Sequence, residues 1–134
     1  MTPLTDLDAL LRDMKPVLDP QRYAYAALPN RETAWPEQAI ACFQEDEGRS
    51  VIASHDQLEA AGLPLQFPCR RITLTVHSAL EAVGLTACVS TALSQAGISA
   101  NVVAGLHHDH VFVPETQAEQ ALSVLETLSE TARR

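Results

Sequence analysis

The 134-residue chain predicts an α+β fold, an antiparallel sheet with helices on one face, built from two halves of similar size. Three observations lead there. From Ile72 to His77, apolar Ile72, Leu74 and Val76 alternate with Thr73, Thr75 and His77, the period of a half-buried strand. Leu85, Val89, Ala92, Leu93 and Ala96 then recur at helical spacing behind Gly84, and Gly97 stops the run. Beyond it the order strand, strand, helix completes a second half that reads β-α-β-β-α.

The elements follow in order. A first helix is expected over Thr5 to Met14, capped by Thr5 or Asp6, with Leu7, Leu10, Leu11 and Met14 on one face and Pro16 and Pro20 ending it. Tyr23 to Leu28 reads as a strand stopped by Pro29-Asn30, and the polar stretch to Glu37, with the single tryptophan Trp35, reads as a loop. Ile40–Gln44 and Ser50–Ser54 flank Glu45-Asp46-Glu47-Gly48, a hairpin whose Gly48 can take a positive φ. Its acids read as a solvated turn, since they lack the alternation of oxygen ligands that a cation site needs. His55 to Ala61 forms a short helix closed by Gly62.

The second half predicts a strand at Arg71–Val76, a helix over Val83–Ala96, strands at Ile98–Ala104 and His110–Val113, and a helix over Thr116–Leu128. Ala118, Ala121, Leu122, Leu125 and Leu128 form the buried face of that helix, and Arg133-Arg134 follow its C-terminus, where the dipole favours cations. This is a ferredoxin-like pattern without its final strand. The first half, α-β-β-β-α, has a core resembling a permuted or degraded unit of the same kind. The expected halves are 1–69 and 70–134, with six strands and four helices between them.

Bulk properties exclude several classes. A net charge of −8, with nine scattered Lys and Arg, offers no basic surface for nucleic acid. No apolar run approaches the ~20 residues needed to span a bilayer. The stretch MTPLTDLDALLRDMK has acids where a secretory leader has a basic region, so a cytoplasmic location is expected. Cys42, Cys69 and Cys88 stand far apart and read as reduced thiols.

One corner has a chemical signature. The helix at Leu85 begins beside the end of a strand, so its free N–H groups and positive dipole end suit a small carboxylate. The N–H groups of Val83, Gly84 and Leu85 are the expected carboxylate partners. Asn101, on the strand opposite, is a suitable acceptor for an amino group, with Glu81 a further candidate.

Val83-Gly84-Leu85, Leu93 and Gly97-Ile98, set between two strands, resemble the regulatory ACT domain. The longer string RRITLTVHSALEAVGLTACVSTALSQAGISANVVAGLHHDHVFVP resembles a family of small stand-alone bacterial ACT proteins, distantly similar to the regulatory end of aspartokinases. The resemblance implies an amino acid or related metabolite bound where two domains meet, often between subunits, and hence a homodimer or larger assembly. It implies that the loop His77-Ser78-Ala79-Leu80-Glu81-Ala82-Val83-Gly84 wraps the ligand and that the strand after Gly97 forms the other wall. Ser99 stands where many amino-acid-binding members have asparagine, and Asn101 follows two residues later.

His107-His108-Asp109-His110 raises the question of a metal, since imidazole and carboxylate are zinc ligands. Consecutive strand residues point to opposite faces, so at most His108 and His110 share a side unless a turn brings His107 in, and no partial site elsewhere completes a coordination sphere. The cluster reads as a polar turn entering a strand, with neither metal nor cofactor expected. Ser78 and Ser90 sit in no nucleophile elbow, His77-Ser78 are sequence neighbours with poor geometry for a catalytic pair, and no phosphate loop is present. The chain therefore reads as a ligand-binding regulatory module and not an enzyme. Alternatives are an interaction module without ligand, or a small metal-dependent enzyme using the histidines.

Overall fold

The computed structural model describes residues 6–28 and 38–133. They contain α1 (Leu7–Arg12), β1 (Pro16–Leu28), β2 (Ala41–Glu45), β3 (Gly48–Ser54), α2 (His55–Ala60), β4 (Gln66–Leu74), α3 (Leu85–Gln95), β5 (Asn101–Ala104), β6 (Asp109–Pro114) and α4 (Ala118–Ala132). The strands succeed one another as β2-β3-β1-β4-β6-β5, an antiparallel α+β arrangement. The expected Thr5 cap, the Pro29-Asn30 stop, the loop through Trp35 and Arg134 fall outside the described residues.

Several boundaries differ from expectation, each for a local reason. β1 begins at Pro16 and not near Tyr23. Proline is tolerated as the first residue of a strand, and Lys15, with φ 43°, turns the chain out of α1. β4 starts at Gln66 and stops at Leu74, because the N–H groups of Thr75 and Val76 both turn to the Met14 carbonyl, at 2.9 and 3.4 Å. β5 starts at Asn101 and not Ile98, because the Ile98 N–H caps α3 at the Leu93 carbonyl, 2.9 Å away. A single 3₁₀ turn, Glu115–Gln117, leads into α4.

The chain divides into two compact units, Pro20–Cys69 and the combination of Met1–Asp19 with Arg70–Arg134. In Pro20–Cys69, Ala24, Ala26 and Leu28 of β1 and Val51 and Ala53 of β3 pack on Leu58 of α2. Small side chains bring helix and strands close together. Ser54 caps α2, its hydroxyl accepting from the Gln57 N–H at 3.5 Å. The β2–β3 hairpin closes at Glu45↔Gly48, where Gly48 has φ 136°, and the Ser50 hydroxyl donates to the Glu45 carboxylate.

The other unit holds the larger core. Ile72 and Leu74 of β4 and Val111 and Val113 of β6 meet Leu10 and Leu11 of α1, Leu85, Val89 and Leu93 of α3, and Ala118, Ala121 and Leu125 of α4. Burying each Leu- or Ile-sized side chain contributes about 1.5–3 kcal/mol. Asp6 caps α1 through its carboxylate, which accepts from the Asp8 N–H at 3.2 Å. The Ser129 hydroxyl of α4 donates to the Arg12 carbonyl at 3.1 Å and so pins the end of α1.

Candidate functional site

The register of β5 on β6 decides which side chains face α3. Ala104 pairs with Asp109, Val102 with Val111, Val103 with His110 and Asn101 with Phe112. Directly paired residues share a face. Val111 belongs to the helix-covered core, so Val102, Ala104 and Asp109 face α3, while Asn101, Val103, His110 and Phe112 face away. Asn101 is therefore exposed and turned from the N-terminus of α3, and Ser99, exposed and two residues earlier, precedes the strand.

Gly84 is the N-cap of α3, with φ 104° and no side chain to satisfy the first amides. Its carbonyl accepts from the Cys88 N–H at 2.9 Å, leaving the N–H groups of Leu85, Thr86 and Ala87 without intrahelical acceptors. The close approach that glycine permits here is to Leu7 of α1, whose Cδ2 would lie 3.0 Å from an added Cβ. Gly84 thus has a packing role against Leu7.

A pocket of about 70 Å³ opens at this corner, lined by Ser78, Ala79, Leu80, Ala82, Leu85, Thr86, Ala104 and Asp109. Of the expected site residues it gathers Ser78 and Leu85, both buried. His77 neighbours it in sequence without lining it, and Gly84 immediately precedes the helix start. Glu81 and Val83 are exposed, Val83 to 82 %, and with Ser99 and Asn101 they lie outside the lining. Larger depressions occur beside Tyr25 and Ser50, about 290 Å³, and between α3 and α4, about 610 Å³. Among the described residues, no charged side chain lines either one.

Asp109 is the residue that sequence reasoning missed. It is 9 % exposed, and burial raises its carboxyl pKa above 3.8 against the opposing pull of His110 and His108. The signal was present as the run Asp109, Val111, Val113, one acid in step with two core valines along a strand. On the opposite face, the His110 Nδ1 lies 3.1 Å from the Thr73 hydroxyl. Burial, then Arg71 and His108, lower the His110 pKa below 6.5, and Asp109 partly offsets them. Arg71 is itself paired with Asp19 at 2.8 Å.

The β5–β6 turn closes with the Gly105 N–H donating to the His108 carbonyl at 2.9 Å. It brings His107 and His108 to His77, with ring centroids 5.5 Å apart for His77–His107 and 6.4 Å for the other two pairs. His110, read with them in the sequence, is diverted to Thr73. Among the described residues, no group of three or more His, Cys, Asp or Glu side chains stands ready to hold a metal ion.

The pocket combines a buried carboxylate, the hydroxyl-bearing Ser78 and Thr86, and helix N-terminal amides. That set can take an ammonium at Asp109 and a carboxylate at the amides, and its volume suits the head of a small molecule.

Two models of the ACT domain match the chain, one over residues 2–70 and the other over 66–127. Among curated proteins none matches. A Vibrio cholerae protein of unknown function, described as a possible transport protein, is 40 % identical with TM-score 0.83 over 92 % of this chain and 95 % of that one. A protein from Agrobacterium tumefaciens is 20 % identical with TM-score 0.69, over 81 % of this chain and 84 % of that one. The ligand-free regulatory subunit of Thermus thermophilus aspartate kinase is 12 % identical with TM-score 0.64, over 84 % and 95 % of the two chains. The last two likenesses are of fold.

Proposed function

The chain belongs to the ACT-domain family, whose members are small-molecule regulatory modules, and from that footing we propose that it binds a small amino-acid-like molecule at the N-terminus of α3. The observation that supports this reading is the buried Asp109 carboxylate in a pocket that also contains Leu85 and Thr86 of the first turn of α3. A carboxylate placed there favours a ligand with a cationic group, and the free amides beside it favour an anionic one. A zwitterionic head satisfies both. Ser78, Gly84, Leu85, Thr86 and Asp109 form the proposed site. His77, Glu81 and Val83 lie along its rim loop, and Ser99 and Asn101 serve only if a second copy of the chain brings them to it.

The proposed halves are residues 1–69 and 70–134, a division supported by the two matched spans. Assembly into a homodimer or larger is part of the proposal. Leu80, Val83 and Leu106 are exposed on the loops around the pocket, which suits burial against a second copy. Ligand affinity that differs between two subunit arrangements would then transmit binding as a change of packing. The same exposed side chains favour the second reading, a module that docks a partner polypeptide and takes no ligand. ACT domains are regulatory and not catalytic, so no reaction is proposed. No helix among the described residues is long and apolar enough to cross a membrane, and a cytoplasmic location remains part of the proposal.

A thermal-shift screen of the proteinogenic amino acids, followed by calorimetry on any that raise the midpoint, tests the proposal. A ligand that binds only the native state stabilises it in proportion to its affinity. The reading requires at least one amino acid to raise the midpoint in the parent and not in Asp109→Asn. No shift with any amino acid would favour the docking reading.

A further inference from the structure

The pocket at the start of α3 separates its polar groups from its apolar ones. Ser78 and Asp109 are buried in its lining, whereas Leu80, which also lines it, is 63 % exposed and so stands at the mouth. Two more apolar side chains flank that mouth. Val83 belongs to the same loop, 75–84, and Leu106 to the β5–β6 turn, 105–108, and both are exposed. Of the six large apolar side chains exposed among the described residues, three therefore lie on the two loops around this one pocket. Single exposed leucines are ordinary on a protein surface, but such a concentration beside a polar pocket marks a binding surface.

The volume decides how a ligand divides between the two regions. The pocket offers about 70 Å³, and one water occupies roughly 10–15 Å³ of such space. It therefore accepts roughly five heavy atoms, the ammonium, α-carbon and carboxylate of an amino acid. The side chain stays at the mouth, against Leu80. An apolar side chain there removes water from apolar surface on both partners. A charged one gains less. Glu81 and His107 share these loops but are exposed, and an ion pair with a solvated side chain contributes little. A charged group laid on Leu80 also loses hydration without a buried partner.

We propose that Leu80, Val83 and Leu106 select an amino acid with an apolar side chain, aliphatic or aromatic, whose head lies at Asp109 and the α3 amides. This inference rests on the ligand reading above and adds to it the class of side chain.

Calorimetry on the full chain with glycine, alanine, leucine, phenylalanine, glutamate and lysine tests it. Each covered methylene strengthens binding about fourfold, so leucine or phenylalanine should bind at least about tenfold more tightly than alanine. Glutamate and lysine should bind no more tightly than alanine. Leu80→Ser and Leu106→Ser, both at exposed positions, should each lower the leucine-to-alanine affinity ratio at least about threefold. The double variant should bring that ratio close to one. Circular dichroism confirms that the variants are folded, and the comparison of amino acids on the parent requires no variant. Glycine, alanine, glutamate or lysine binding as tightly as leucine and phenylalanine overturns the proposal while leaving the site at Asp109 standing. A folded double variant that keeps the parent's ratio does the same. If none of the six binds, the ligand reading fails and this inference with it.

Discussion

Leu7 and Gly84 meet so closely that a Cβ on Gly84 would stand 3.0 Å from Leu7 Cδ2. Gly84 also holds φ 104°, a conformation that side-chain-bearing residues reach only with strain. Gly84→Ala should lose about 1–3 kcal/mol in urea unfolding. In a Leu7→Ala background, which has room for a Cβ but keeps the backbone strain, Gly84→Ala should cost less than in the parent but still cost stability. A Gly84→Ala protein as stable as the parent would refute both contributions.

Asp109 and Asn101 separate two versions of the ligand site. With the ammonium at Asp109, replacing that residue with asparagine should cost about 1.5–3 kcal/mol of binding, the range for a hydrogen bond to a charged group. Asn101→Ala should leave calorimetric affinity unchanged, because Asn101 lies on the sheet face away from α3. The reverse pattern would relocate the site to the other side of β5.

Stability should respond to pH through Asp109 and His110 in opposite directions. The Asp109 pKa is raised, so its contribution is full below pH 3.8 and is lost as pH rises through the higher folded value. The His110 pKa is lowered, so its contribution is full above pH 6.5 and is lost as pH falls toward the folded value. Denaturant unfolding at a series of pH values should show His110→Gln with a shallower loss of stability just below pH 6.5 than the parent. Asp109→Asn should remove the opposing component that develops above pH 3.8. Identical slopes in parent and variants would disprove the assignment.

Leu93 and Leu58 are fully buried, one in each unit's core. Leu93→Ala and Leu58→Ala should each cost about 2–5 kcal/mol, by lost burial and by the cavity left behind. Measured costs under 1 kcal/mol would mean that these cores collapse easily around the gap.

Val83, the most exposed of the large apolar residues at the pocket rim, reports on assembly. Val83→Lys should shift light scattering from dimer to monomer with little effect on the unfolding midpoint. A parent that is monomeric across micromolar concentrations would end the oligomer reading.

Most of the fold was legible because it rests on local periodicity. The alternation through Ile72 and Leu74 and the helical spacing from Leu85 to Leu93 are set by which side chains a strand or helix can bury. What escaped was set by distant partners. Val76 kept its buried place but left the ladder because its amide turned to Met14, and Ile98 was diverted by the cap of α3. Gln66 to Cys69 were assigned to no element from the sequence. In the structure they are strand, with Cys69 fully buried and its thiol donating to the Tyr23 carbonyl at 3.4 Å. At the candidate site the glycine corner was legible as strand-to-helix chemistry. Asp109 was hidden in a polar run until its pairing with Ala104 fixed its face. The approach of His77 to His107 and His108 joins segments that no periodicity connects.

The contact between Ser129 and Arg12 spans 117 residues of sequence. On the ribosome, Leu10, Leu11 and Met14 emerge early, yet the α3 and α4 surfaces that bury them are made only after the whole Pro20–Cys69 unit has been synthesised. That intervening unit has its own core and is free to fold first. The opening helix must wait with its apolar face in solvent, so the nascent chain passes through a prolonged sticky interval that release of α4 brings to a close. Slowing translation between residues 70 and 118 should lengthen that interval and, with it, the window for chaperone engagement or aggregation.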